Sequence, residues 1–332
     1  MKYIYCIPFG GFGDQLATIN KAIRYCKKYK RILIIETQKS KYNVNYEDYF
    51  GFQYENVILD KNKIGLLICN SDLTIYPDIF DGKRHELIDN KINFTYSRPA
   101  YNYNNVILDL PKSDISENII VYANCGGKCY TLFKSLIFKP NIKQILHDRY
   151  NTLKKPYISI QIRNTDIKCN YELLYQKNKE LIHYVSQIHI ATDDVNALDF
   201  FVKKGLPIKN FTTFPSTKEY KNLHYSNIDP HTKFVDMLTD VYICGMSDKL
   251  LSSSPGGFIK LIRNCNKKRF ELAKQFDAED NIQVDKIPDV LDKIPDVLVK
   301  IPNVLDKIKD ELVKIQYELD KITHADADDN SK

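Results

Sequence analysis

Tyr157-Ile158-Ser159-Ile160-Gln161-Ile162-Arg163-Asn164-Thr165-Asp166 is the stretch on which the reading of this chain turns. Ile158, Ile160 and Ile162 alternate with Ser159 and Gln161, the period of a half-buried strand. The strand stops at an arginine and opens into polar residues. In open α/β sheets ligands sit beyond the carboxyl ends of the strands. An arginine there is a candidate anion reader, because its planar fork grips two phosphate oxygens at once. A structural ion pair is the alternative, and this segment alone does not decide between them.

The segments around it alternate strand and helix. After a break at Lys154-Lys155-Pro156 come strand 157–163, helix 171–186, strand 188–191, helix 195–204 and strand 208–214. Helix 231–247, strand 249–252 and helix 257–266 follow. The N-terminal end begins similarly, with strand 2–7, a loop at 8–13, helix 14–28 and strand 31–36. Short strands at 57–59, 73–75, 106–108 and 119–122 and a helix at 142–153 complete the first half, in which 37–115 has no clear period. Such alternation predicts an α/β protein with parallel sheets covered on both faces. The expected layout is an α/β domain over 1–155, a second over 156–276, and a tail over 277–332.

The tail is a heptad repeat. Asp285-Lys-Ile-Pro-Asp-Val-Leu returns at Asp292, and in altered form at Val299, Asp306 and Val313. Leucines and isoleucines from Leu291 to Ile322 step by three and four, as in a coiled-coil seam. Pro288, Pro295 and Pro302 oppose a continuous helix. The expectation is broken helix, then an amphipathic helix near 303–323 that oligomerises or docks on the body. A homo-oligomer through 285–323 is therefore one partner call.

Charge divides along the same line. The net charge is +6, but residues 277–332 hold 8 Lys against 15 acidic residues and carry −7. The remainder, with 40 basic and 27 acidic residues, carries +13. A basic body suits an anionic ligand such as a nucleotide-sugar diphosphate, or is simply a solvated lysine surface. No basic block interleaved with aromatics marks a nucleic-acid binder. The eight cysteines are scattered, and Cys125-Gly-Gly-Lys-Cys129 has no second pair, so no metal site is expected. No apolar run is long enough for a membrane span, and no secretory leader is read before the first glycine loop. A reduced, cytoplasmic setting is the default.

Three loops carry candidate chemistry. Gly10-Gly11-Phe12-Gly13-Asp14 joins the first strand to the first helix. Its glycines allow close backbone approach at a helix N-terminus, which favours anions. It is neither the dinucleotide fingerprint nor a P-loop, and Asp14 reads first as an N-cap. His189-Ile-Ala-Thr192-Asp193-Asp194 ends the second strand of the second half. One aspartate suffices to cap the next helix, which leaves the other for a base or ribose. Ser252-Ser253-Ser254-Pro255-Gly256-Gly257 leads into the last helix and offers hydroxyls and amides to a phosphate.

Together these pieces resemble the bacterial nodulation fucosyltransferases and their α1,6-fucosyltransferase relatives. Gly10-Gly-Phe-Gly-Asp-Gln-Leu16 is similar to the family's opening. Ile160-Gln-Ile-Arg-Asn-Thr-Asp166 is similar to its His-x-Arg-Arg-Thr-Asp motif. Ile190-Ala-Thr-Asp-Asp194 matches Ala-Thr-Asp-Asp, and 252–258 fills the third motif. The order is kept over residues 5–265, and the tail lies outside it. The resemblance implies a GT-B-like fold of two Rossmann-like domains facing a cleft. It implies inverting transfer from GDP-fucose to a glycan acceptor, with no metal or cofactor. Arg163 would neutralise the departing β-phosphate, and Asp193, with Asp194 as alternative, would read guanine. Gly11, Phe12, Gly13, Gln161, Thr192, Ser253, Ser254 and Gly256 would complete the donor site. The base for the acceptor hydroxyl would be Glu172 or Asp166. Gln161 stands where the family has histidine and Asn164 where it has a second arginine, which leaves room for another donor, such as a xylosyl or rhamnosyl nucleotide. A non-catalytic nucleotide-sugar-binding or assembly module is the reading from a different class.

Overall fold

The computed structural model describes residues 1–37, 42–97, 100–165, 167–216, 223 and 226–276. The expected heptad helix at 277–332 and the candidate base Asp166 lie outside the described residues. Met1–Glu279 form one compact unit.

The strands, in chain order, are β1 (Tyr3–Pro8), β2 (Ile32–Ile35), β3 (Phe50–Phe52), β4 (Val57–Ile58), β5 (Ile75–Tyr76), β6 (Thr95–Ser97) and β7 (Ala100–Tyr103). Then come β8 (Val106–Ile107), β9 (Ile119–Asn124), β10 (Leu136–Phe138), β11 (Ile158–Ile162), β12 (Ile188–Thr192), β13 (Ile208–Lys209) and β14 (Lys249–Leu251). The helices of the first half are α1 (Phe12–Tyr29), α2 (Lys61–Ile68), α3 (Arg84–Ile88), α4 (Tyr130–Phe133) and α5 (Pro140–Asn151). Those of the second are α6 (Tyr171–Lys177), α7 (Lys179–Tyr184), α8 (Val195–Val202), α9 (Pro230–Met246), α10 (Gly257–Lys267) and α11 (Arg269–Phe276).

The first sheet runs β4-β2-β1-β9-β7-β6, with β5 also on β9 and β8 on β7. Its centre is parallel, Tyr3 lying opposite Ile32 on one side and Ile119 on the other. Every residue of β1 and β9 is buried, as a central parallel strand requires. The second sheet is wholly parallel in the order β13-β12-β11-β14. β3 and β10 form a separate antiparallel pair.

Alternation along the strands sorts the apolar side chains into three cores. Tyr5, Ile7 and Val121 pack outward with α2 and α3. Ile4, Cys6 and Tyr122 pack inward, in one cluster that also takes in α1, α5, α9, α10 and α11. Ile158, Ile160 and Ile162 face α6 to α8. The expected half-buried β11 is in fact buried on both faces, because Ser159 and Gln161 find partners inside. The Ser159 hydroxyl meets His189 Nδ1 at 3.3 Å, and Gln161 Oε1 accepts from the Ser252 hydroxyl at 2.9 Å.

Two expected elements are shorter than their sequence pattern. The helix expected over 171–186 breaks at Asn178, whose side-chain amide donates to Leu174 O at 2.8 Å and competes with the helix ladder. The strand expected over 208–214 ends at Lys209. There the Asn210 side chain takes over, donating to Ile190 O and accepting from Thr212 N. In the freed segment Thr212 and Thr213 come to lie with the strand ends of β11 and β12. α11 was not expected at all.

Candidate functional site

The carboxyl ends of β1, β11 and β12 open onto one cleft. It is lined by the glycine loop Gly10–Asp14, Tyr42, the strand ends Gln161–Arg163 and Ala191–Asp193, Thr212, Thr213 and Leu223. Lys233, Asp236, Met237 and Asp240 of α9 line it too, as do Gly257 and Phe258 of α10. Its cavity volume is about 190 Å³.

The glycine loop turns sharply. Gly10 has φ +87°, a conformation glycine adopts without strain. Gly11 is extended and precedes α1, which starts at Phe12, two residues before the expected helix start, with no side-chain cap. Asp14 is therefore not the N-cap. It sits in the first turn of α1 and lines the cleft. Gln15 secures the turn instead, donating to Gly10 O at 2.8 Å, and its Oε1 accepts from the Tyr46 hydroxyl.

Arg163 follows β11 directly and is held by its backbone. Its amide donates to Ser254 Oγ at 2.8 Å, and Ser254 N donates to Ser252 Oγ at 3.1 Å. The serine loop thus grips the strand end that carries the arginine. Ser254 is buried and Ser253 exposed; neither is among the lining residues, nor is Gly256. Gly256 lies beside the guanidinium all the same: a Cβ built on it would be 3.5 Å from one terminal nitrogen of Arg163.

The two aspartates after β12 organise the loop after β11. Asp193 accepts from Asn164 N at 2.7 Å and from the Thr165 hydroxyl at 2.7 Å, one on each oxygen. Asp194 caps α8 through Asn196 N at 2.9 Å and accepts from the Asn164 amide at 2.6 Å. Asp193 and Thr192 line the cleft, and Asp194 does not. Glu172 is exposed on α6, away from the lining. Of the expected donor set, the cleft brings together Gly11, Phe12, Gly13, Gln161, Arg163, Thr192 and Asp193.

The polar face of α9 was missed. Lys233, Asp236 and Asp240 recur at helical spacing in an otherwise apolar helix, which was the available signal. Asp236 is ion-paired with Arg149 at 2.8 Å, and its other oxygen accepts from Thr213 N at 2.8 Å. Asp240 Oδ1 lies 3.4 Å from His189 Nε2, yet neither atom makes a geometrically sound hydrogen bond. Burial holds the Asp240 carboxyl above the usual carboxylate range, and His189 pulls only partly the other way. Burial likewise raises the Tyr42 hydroxyl, with Arg163 opposing and Asp14 and Asp240 adding to the rise. Tyr42 comes from the irregular region, where no pattern marks it.

Among the described residues no cluster of three or more metal-ligating side chains occurs. No described helix is long and apolar enough to cross a membrane.

No protein-family model matches the chain, and no curated protein matches it. Solved structures do. The crystal structure of NodZ α-1,6-fucosyltransferase co-crystallised with GDP is 17% identical, with a TM-score of 0.53, covering 79% of this chain and 92% of that one. Fucosyltransferase NodZ from Bradyrhizobium gives 16% and 0.53, over 79% and 93%. POFUT1 in complex with GDP-fucose gives 14% and 0.50, over 80% and 94%. The chain has the mixed α/β, GT-B-like fold of these fucosyltransferase structures, as its motifs led us to expect.

Proposed function

We propose that this chain is a glycosyltransferase that transfers a sugar, fucose in the first instance, from a GDP-sugar to a glycan acceptor. The observation that carries this reading is Arg163 at the carboxyl end of β11, its backbone clamped by Ser254, in a cleft walled by the Gly10–Asp14 loop and α10. The helix start and glycine amides favour an anion, and the guanidinium takes up charge on a departing diphosphate. Likeness of fold to GDP-bound fucosyltransferases supports the same reading.

In this scheme residues 1–155 present the acceptor and 156–276 hold the donor. Gly11, Phe12, Gly13, Gln161, Thr192 and Asp193 surround the nucleotide sugar, with Ser253, Ser254, Gly256 and Asp194 shaping the loops behind. Attack is inverting and uses no metal. The family resemblance offers Glu172 and Asp166 as the base for the acceptor hydroxyl. Asn164, neutral where the resembled motif has arginine, favours a second reading in which the donor is a different nucleotide sugar.

Thermal shift against GDP, UDP and their sugars tests the nucleotide. A ligand bound by the native state alone at 100 times its Kd adds about 2.7 kcal/mol. GDP and GDP-fucose should raise Tm, and Arg163→Ala should abolish transfer from GDP-fucose. A shift with UDP but not GDP would overturn the guanine assignment, and full transfer by Arg163→Ala would overturn the role of the arginine.

A further inference from the structure

Asp236 is a buried carboxylate in the lining of the cleft, and both of its oxygens are engaged. Oδ1 accepts from Nη1 of Arg149 at 2.8 Å, and Oδ2 accepts from Thr213 N at 2.8 Å. The same Arg149 nitrogen donates to Thr239 Oγ1 at 2.8 Å, and the Thr239 hydroxyl donates to Val235 O at 2.8 Å. The guanidinium carbon stands 5.8 Å from the centre of the Phe211 ring, a cation–π contact. Arg149 comes from α5 and is not among the described lining residues. It reaches the irregular segment after β13 twice, directly at Phe211 and through Asp236 at Thr213.

Charge gives this contact a role beyond packing. The described lining residues include two cations, Arg163 and Lys233, and four carboxylates, Asp14, Asp193, Asp236 and Asp240. Four minus two is a formal excess of two negative charges, which opposes an anionic ligand. Two features of α9 reduce that excess. Burial drives the Asp240 carboxyl toward its neutral form. Arg149, from outside the lining, sets a positive charge against Asp236. A buried ion pair that loses one partner leaves an uncompensated charge. Here the charge left behind would have the same sign as a bound phosphate.

We propose that Arg149 is a positioning residue for the donor: by neutralising Asp236 and fixing the Thr213 wall, it lets the cleft hold a diphosphate that it does not touch. The assignment rests on the reading that this cleft binds a nucleoside diphosphate. At an effective dielectric of about 20, one charge acting on another about 10 Å away changes a binding constant by more than about tenfold. A neutral nucleoside does not feel this effect.

The test is calorimetric titration of GDP and guanosine into wild type, Arg149→Met, Asp236→Asn and the double variant. The quantity read is the preference for GDP over guanosine, which a general loosening of the wall leaves unchanged. Arg149→Met should lower that preference at least about tenfold. Asp236→Asn removes the negative charge and leaves the arginine, so its preference should equal or exceed that of wild type. The double variant should return to within about threefold of wild type, because its two charge changes cancel. In transfer from GDP-fucose, Arg149→Met should raise KM and leave kcat within about threefold, the signature of lost uniform binding. The assignment falls if Arg149→Met weakens GDP and guanosine alike, or changes the preference by less than about threefold. It falls equally if adding Asp236→Asn to Arg149→Met does not restore the preference. Should Arg149→Met not fold, Asp236→Asn decides alone, and a preference below wild type overturns the assignment. Wild type that binds GDP no more tightly than guanosine would sink the nucleoside-diphosphate reading itself, an outcome read before any variant.

Discussion

Arg163 is positioned by main chain, and in the proposed reaction its side chain is what meets the departing diphosphate. Because Ser254 grips the amide, replacing the side chain leaves the loop intact. Arg163→Lys keeps the charge and loses the planar fork. Transfer should fall by about 10²–10³-fold, the usual cost of removing one transition-state donor, and the circular dichroism spectrum should not change. Asp240 poses a different question. Its carboxyl is raised by burial, so the native state holds its proton at pH values where the unfolded chain has released it. Stability from this group therefore declines as pH climbs from the ordinary carboxylate range through the raised value, and at neutral pH the native state bears the cost. Asp240→Asn removes that cost. Its Tm should exceed wild type at pH 7, by about 2–4 °C for each kcal/mol relieved, with the difference vanishing in acid. A lower Tm at pH 7 would mean that the His189 contact outweighs burial.

Elements explain which parts of this fold are legible from sequence. β1 with its glycine loop, and β11 ending at Arg163, are local patterns whose meaning is complete within ten residues. The polar stripe on α9 is local too, but its purpose is not. Asp236 finds Arg149, 87 residues away, and Asp240 lies beside His189 of β12. Tyr42 reaches the cleft from a region with no period. Strand and helix ends were misread wherever an asparagine side chain took over a backbone bond, at Asn178 and Asn210. α9 also packs closely on its neighbours at Gly245. A Cβ there would lie 2.4 Å from Leu272 Cδ2 and 3.0 Å from Cys265 Cβ. Gly245→Ala should destabilise by about 1–3 kcal/mol through overpacking, measurable by urea denaturation. Arg149 and the cleft face of α9 should then loosen together, since Arg149 bonds both Asp236 and Thr239.

At the scale of the molecule, one apolar cluster joins the inner face of the first sheet to α5, α9, α10 and α11. Arg31 pins the starts of the central strands β1 and β9 from inside, donating to Tyr3 O and Asn118 O. It is fully buried, ion-paired with Asp114 at 2.7 Å, and also donates to backbone carbonyls such as Ile115 O at 2.7 Å. Burial alone would raise the Asp114 carboxyl, but hydrogen bonds from Lys2 and Arg31 outweigh it and hold the group below the usual range. A core shared so widely predicts cooperative unfolding. Calorimetry of the chain should give one main transition whose calorimetric and van't Hoff enthalpies agree. Two resolved transitions would mean that the sheets melt separately.

Gly10, Gly11, Gly126 and Gly257 border the Asp14 carboxylate, and this has a consequence for how the cleft can change. A wall without side chains carries no chemical information that substitution can retune, and at Gly10 and Gly126 the backbone itself resists replacement. Change of ligand preference is then open to the lining positions that carry side chains, Thr212, Thr213, Lys233 and Asp236 among them. A mutant library directed to those four positions should yield altered preferences with the fold intact, whereas one directed to the glycines should yield mostly inactive protein.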